Sequence, residues 1–185
     1  DCNNFGIDNI LSSIYKCDIN ILEKSVSVLD TLYQSKNCIP QNEIITIFAP
    51  PFTYFEPKIN INKIHNGNCN ILIFKSNNPQ HCYVNIKNNE IIKIKEKEVI
   101  GNYAILGIYS FKNKNILYDD FDYEQDNKYY LSDILINYIN KNIKIYYTDI
   151  PLVYPFKNKS YINYLKKSIR NEIIFGISCD HSGYN

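Results

Sequence analysis

The stretch 81–111 does most to restrict what this chain can fold into. Residues 81–86 and 91–95 are strand-sized and rich in Ile, Val and Tyr. They flank Asn88-Asn89, and asparagine tolerates the positive φ that a tight hairpin turn demands. A longer strand follows at 102–111, with Gly107 inside it. A glycine within a strand marks close approach of backbone or ligand.

The flanks supply helices and further strands. Asp8 or Asn9 caps a short helix through Ile10, Leu11 and Ile14, and 19–22 is a brief strand. Ser25 opens a helix whose apolar positions are Val26, Leu29, Leu32 and Tyr33, at the three-and-four spacing of one helical face. Residues 37–41 break it. A nearly continuous apolar run at 44–48, bounded by Pro50 and Pro51, reads as a buried strand. Periodicity is weak over 53–68, and 71–74 is another strand. Residues 113–128 are polar and acidic, which predicts a surface loop. Ser132 or Asp133 then caps a helix carrying Ile134, Leu135, Tyr138 and Ile139, ended by Asn142. A strand at 143–147, a loop at 151–159, a helix opened by Ser160 and a strand at 173–179 complete the pattern. Helices and strands interleave without an internal repeat, which predicts a layered α/β domain.

Charge excludes several roles. The 20 Lys and Arg nearly balance the 19 Asp and Glu, so no electrostatic footprint for nucleic acid or an anionic membrane exists. The longest apolar stretches are strand-sized, with no signal peptide or transmembrane run. The six cysteines, Cys2, Cys17, Cys38, Cys69, Cys82 and Cys179, form no C-x-x-C pair and no zinc-ligand spacing with histidine. Free thiols in a reducing compartment follow, hence a cytoplasmic protein. His65 and His81 have no partner pattern and read as ordinary histidines. The chain has no Met and begins at Asp1, which reads as a fragment.

The block 81–97 followed by Gly101-Asn-Tyr-Ala-Ile-Leu-Gly-Ile-Tyr-Ser-Phe111 is similar to one in sugar-phosphate nucleotidyltransferases. There a hairpin leads to an E-K pair and then an S/G-N-x-A-x-x-G-I-Y-x-F strand. Glu96-Lys97, Asn102, Ala104, Gly107, Ile108, Tyr109 and Phe111 match in order and spacing. Tyr129-Tyr130-Leu131-Ser132-Asp133-Ile134 resembles the family's E-x-Y-L-T-D-x-I helix start. The resemblance runs from about residue 20 to about residue 170. It implies a mixed, mostly parallel sheet flanked by helices, the nucleotide-sugar fold of type A glycosyltransferases, here N-terminally incomplete.

In that family a Gly-rich loop cradles a nucleoside triphosphate, carboxylates hold a divalent cation such as Mg²⁺, and a sugar phosphate attacks the α-phosphorus. The resemblance implies that Glu96, Lys97, Asn102 and Gly107 line the sugar pocket, with Glu96 accepting from hydroxyls and Lys97 meeting the phosphate. The departures are as informative. No Gly-rich loop is present, and Pro50 stands where the family has a metal-binding Asp. Proline offers neither an anionic oxygen nor a backbone N–H. The late W-x-D-x-G-T-P turn is replaced by residues 154–159, which carry no carboxylate. This chain is therefore expected to hold no cofactor and to lack catalytic and metal-binding residues of its own. It reads as a nucleotidyltransferase-like domain of nucleotide-sugar metabolism, either a fragment or a catalytically decayed copy. The competing reading is a non-catalytic sugar-phosphate-binding or scaffold domain.

The tail, Ile174-Phe-Gly-Ile-Ser-Cys-Asp-His-Ser-Gly-Tyr-Asn185, resembles the opening of type B ribose-5-phosphate isomerases, whose motif reads I-G-x-D-H-A-G-Y/F. A more distant likeness is to a haloacid-dehalogenase opening with Ser178 at the nucleophile. The isomerase likeness implies a domain boundary, with 1–171 nucleotidyltransferase-like and 172–185 starting a fused sugar-phosphate domain whose site would include Asp180, His181 and Gly183.

Overall fold

The computed structural model describes residues 24–48, 53–55, 64–118, 130–151 and 153–155, with the isolated positions 9, 12, 13, 19 and 22. The Pro50-Pro51 turn, the helix after Ser160, the strand at 173–179 and the domain boundary at 171/172 lie outside the described residues, as do the middle of the strand expected at 19–22 and nearly all of the helix expected after Asp8.

Helix α1 spans Val28–Gln34 and is opened by Ser27 rather than Ser25. Ser27 Oγ accepts from the Asp30 N–H at 3.0 Å, and the Asp30 carboxylate accepts from the Val26 N–H at 2.8 Å. A hydroxyl followed three residues on by a carboxylate is the spacing of a capping box. Ser25 instead donates to the Ser27 carbonyl.

The described residues contain eight strands, of which those between 69 and 111 follow the sequence expectation closely. They are β1 Ile45–Phe48, β2 Thr53–Phe55, β3 Cys69–Lys75, β4 Cys82–Lys87, β5 Glu90–Glu96, β6 Tyr103–Phe111, β7 Tyr146–Asp149 and β8 Val153–Pro155. Asn88 and Asn89 join β4 to β5 with φ of 53° and 61°, the two positive values of a type I′ turn. The main sheet has the order β5-β4-β6-β3-β7, with β1 also paired to β6. β6 is the central strand: one edge pairs with β3, while the other pairs with β4 near Tyr103 and with β1 from Ile108 onward. Opposite Leu72 the β3–β6 register jumps from Ile71↔Tyr109 to Ile73↔Ile105. The extra residues form a β-bulge, and Gly107 occupies it at φ 85°, a backbone region that excludes most side chains.

The sheet is mixed and flanked by helices, as expected, although the pairs among the described residues are mostly antiparallel. Among the described residues β3 and β7 form the one parallel pair, and the others are antiparallel. Parallel neighbours need a long crossover, whereas β4 and β5 are joined by a two-residue turn that only antiparallel pairing can use, and β4 then pairs antiparallel with β6 as well. Three local expectations also change. Residues 114–118, expected in a loop, form helix α2 (Lys114–Tyr118), where Asn113 Oδ1 accepts the Ile116 N–H at 3.0 Å and Leu117 and Tyr118 are buried. Strand β7 starts three residues later than expected. The Ile143 N–H returns to the Tyr138 carbonyl at 2.8 Å, so that stretch finishes the preceding helix. The expected loop from 151 contains β8, which pairs with β2 in a separate two-stranded sheet.

Helix α3, Leu131–Asn140, is preceded by Tyr130 as its cap residue, ahead of the expected Ser132 or Asp133. It packs on β5, and its Ile134, Leu135 and Tyr138 join Ile71, Ile73, Val84, Ile94, Ile105 and Phe111 in the larger core. The opposite sheet face carries a smaller cluster of Ile64, Leu72, Leu106, Ile108 and Ile150. This division follows from strand alternation: neighbours such as Ile71 and Leu72 point to opposite faces.

Candidate functional site

Glu96 closes β5 opposite Cys82 on β4. It lies two residues after Ile94 and therefore shares the face covered by α3. Ser132, fully buried in the first turn of α3, donates its hydroxyl proton to Glu96 Oε1 at 2.5 Å. The same turn is fixed by the Tyr130 N–H, which donates to the Asp133 carboxylate at 3.1 Å. Burial pushes the Cys82 thiol up, and the charge and hydrogen bond of Glu96 raise it further. Tyr109 is also held well above its usual range, by burial first and then by Cys82 and Glu96. The carboxylate thus stands among groups that keep their protons, which suits an acceptor for hydroxyl donors.

Lys97 follows in a left-handed backbone conformation, φ 54°. Its N–H donates to the His81 carbonyl at 3.0 Å, and its exposed ammonium lies 5.8 Å from the centre of the Tyr130 ring, within cation–π range. Glu96, Tyr130 and Asp133 line one groove together with Ile92, Lys93 and Lys95, with a cavity volume of about 460 Å³.

Asn102 belongs to a second groove of similar volume, about 460 Å³, lined also by Asn85, Gly101, Tyr103, Tyr147 and Asp149. Glu96 and Asn102 therefore line different depressions, on either side of β4. A β-carbon on Gly101 would lie 2.7 Å from the Val84 carbonyl oxygen, so the chain can pass this close to β4 only with glycine there. Gly107 lies in the β6 bulge, away from the described lining of both grooves.

One loop braces both grooves. The Ser76 N–H donates to the Asn102 carbonyl at 3.1 Å, while the His81 carbonyl receives Lys97. Between them Ser76 Oγ and His81 Nδ1 are 2.7 Å apart, and the Tyr83 hydroxyl donates to the Asn78 carbonyl at 2.9 Å. His81 is thus a hydrogen-bonded structural histidine that fixes the approach of Lys97. His65 is likewise engaged, its Nε2 3.2 Å from Thr46 Oγ1.

Sequence reasoning missed Ser132 as the partner of Glu96, and Tyr147 and Asp149 as groove residues. The matched Tyr-Leu-Ser-Asp helix start was the available signal for Ser132. Asp149 lay beyond the expected end of its strand and carried none. Asp180, His181 and Gly183 lie outside the described residues. The described residues offer no ready-made set of ligands for a divalent cation such as Mg²⁺. They contain no grouping of three or more His, Cys, Asp or Glu side chains, and the matched positions Pro50 and 154–159 supply no carboxylate. Among the described residues no helix is long and apolar enough to cross a membrane.

No protein-family model matches the chain, and no curated protein matches it in sequence. Solved structures do share its fold. One, from Bacillus anthracis, is described as a glucose-1-phosphate thymidylyltransferase in complex with a sucrose; it superposes with a TM-score of 0.62 at 18% identity, over 85% of this chain and 66% of that one. A nucleoside-diphosphate-sugar pyrophosphorylase from Vibrio cholerae gives a TM-score of 0.64 at 13% identity, over 90% of this chain and 76% of that one. The inositol-1-phosphate CTP transferase from T. maritima gives 0.62 at 14% identity, over 86% and 68%. The chain thus has the α/β fold of sugar-phosphate nucleotidyltransferases and spans about two thirds of the first of these relatives. Nothing in the comparisons supports the isomerase likeness of the tail.

Proposed function

We propose that this chain is a nucleotidyltransferase-like domain of nucleotide-sugar metabolism that binds a sugar phosphate and does not by itself complete nucleotidyl transfer. The observation that carries the reading is the Glu96–Ser132 hydrogen bond beside Lys97. Ser132 holds Glu96 Oε1 in place, and the carboxylate has further lone pairs with which to accept from ligand hydroxyls. Lys97 brings a point charge within reach of a phosphate. The shared fold with proteins described as acting on glucose 1-phosphate, nucleoside-diphosphate sugars and inositol 1-phosphate supports the same ligand class. Asn102, with Tyr147 and Asp149 in the neighbouring groove, supplies further polar and aromatic contacts. Pro50 and the carboxylate-free 154–159 segment argue against transfer chemistry by this chain alone.

Titration calorimetry with a panel of hexose 1-phosphates tests the reading. Binding should be lost in Lys97→Ala and weakened in Glu96→Gln. Unchanged binding in both variants would rule this site out, as would Mg²⁺-dependent pyrophosphate release from the wild-type chain for the claim of incomplete chemistry.

A further inference from the structure

We infer that Cys82 is a positioning residue for Glu96: its thiol holds the carboxylate from the neighbouring strand while Ser132 holds it from the helix. The consequence for a ligand rests on the sugar-phosphate reading of this groove. Cys82 opens β4 and is the register partner of Glu96 in β5. Directly opposite residues of an antiparallel pair point to the same face, with β-carbons about 4.5–5.5 Å apart. Cys82 is half-buried and packs against the larger core, on the face that the first turn of α3 covers. Its thiol is free of any disulfide, hydrogen-bonds the Glu96 side chain and reaches the Ser132 hydroxyl. Ser132 in turn donates to Glu96 Oε1 at 2.5 Å. One carboxylate is thus held by donors from two separate elements.

The chemistry of the thiol suits this role. An ionised carboxylate only accepts, and it has about four lone-pair sites to fill. A thiol is a weak donor, but a charged acceptor strengthens the bond it makes. It can donate only while protonated. Burial, followed by the charge of Glu96, pushes the Cys82 thiol well above its ordinary value. At neutral pH Cys82 is therefore a standing donor and not a nucleophile. A single tether fixes the distance of a carboxylate and lets its plane turn. A second tether from another direction fixes the plane as well, so the remaining lone pairs keep one orientation in the groove that Glu96 lines. Serine at position 82 would keep a donor there, and alanine would remove it.

Two measurements test the inference. The first is Raman spectroscopy of the S–H stretching band of the chain, the Cys82 band being the one lost in Cys82→Ser. Donation to a carboxylate lowers an S–H stretching frequency, so this band should rise in Glu96→Ala. A thiol that only fills space would not respond in this way, and an unmoved band would overturn the proposal. The second is titration calorimetry with hexose 1-phosphates. Cys82→Ala should weaken binding about two- to tenfold, the range of one ordinary hydrogen bond. Cys82→Ser, which keeps a donor, should restore most of that loss. In the Glu96→Ala background Cys82→Ala should cost nothing further, because the two residues act as one unit. Wild-type affinity in Cys82→Ala would overturn the proposal, as would equal losses in Cys82→Ala and Cys82→Ser. A wild-type chain that binds no hexose 1-phosphate would overturn the sugar-phosphate reading alone, and the S–H band would still decide whether Cys82 holds Glu96.

Discussion

Ser132→Ala isolates the contact on which the sugar-phosphate site depends. The serine is fully buried and donates to Glu96 at 2.5 Å. A hydrogen bond to a charged group contributes about 1.5–3 kcal/mol. Glu96 is half-buried, so water recovers part of that when the donor is lost. The expected cost is about 1–2 kcal/mol, which lowers Tm by roughly 2–8 °C in a chain of this size. The measurement is urea denaturation of the wild type, Ser132→Ala, Glu96→Gln and the double variant. Because the two side chains touch, the single effects should not add, and the coupling should reach about 1 kcal/mol. Affinity for a hexose 1-phosphate should fall along with the coupling, since an untethered carboxylate is free to leave its position. Additive single effects, or a Ser132→Ala variant within about 0.5 kcal/mol of wild type, would refute the claim that this hydrogen bond orients Glu96.

Three further outcomes follow from the geometry. Asn89→Gly should stabilise the hairpin by roughly 0.5–1 kcal/mol, because Asn89 sits at φ 61° in the second position of a type I′ turn; an unchanged or lower urea midpoint would contradict the turn assignment. Gly107→Ala should destabilise by about 1–2 kcal/mol, since the bulge holds φ at 85°, and a neutral result in the same assay would exclude that backbone. The contribution of three buried groups to stability should decline as pH rises above about 9. Burial raises the Cys69 and Cys82 thiols above their usual 9.0 in the folded chain, and Tyr118 from 10.0 to about 12. The unfolded chain therefore releases these protons first as pH rises, and stability is lost through that window; denaturation midpoints rising between pH 9 and 11 would reverse the sign.

The legible parts of the fold were those fixed by local chemistry. Asn88-Asn89 announced a hairpin because few residue pairs accept two positive φ values, and Gly107 stood out because its strand neighbours are bulky. The capping residue of α1 was misplaced by two positions because Ser25 and Ser27 look alike until the partner carboxylate, Asp30, is counted. Pairing of three-residue β2 with β8 left no trace, since its strands lie about 100 residues apart and each is too short to show a period. At the candidate site, Glu96 and Lys97 were readable from motif order. The Ser132 hydroxyl was not, because it reaches Glu96 across 36 residues and only packing of α3 on β5 brings them together. Asp149 escaped because the strand that carries it was expected to end earlier.

The single parallel pair also bears on how the chain reaches its native state. The β4–β5 hairpin closes through two asparagines, and β6 joins after another short turn, so this unit can form early from local contacts. Bringing β7 alongside β3 requires closure of about 70 intervening residues. The entropic difference from a two-residue closure is about 3 kcal/mol on logarithmic loop scaling. Strand β7, with Tyr147 and Asp149, should therefore dock late and exchange its amide protons sooner than the β4–β6 unit. The groove containing Asn102 would then be assembled last, its far wall supplied by the least protected strand of the main sheet.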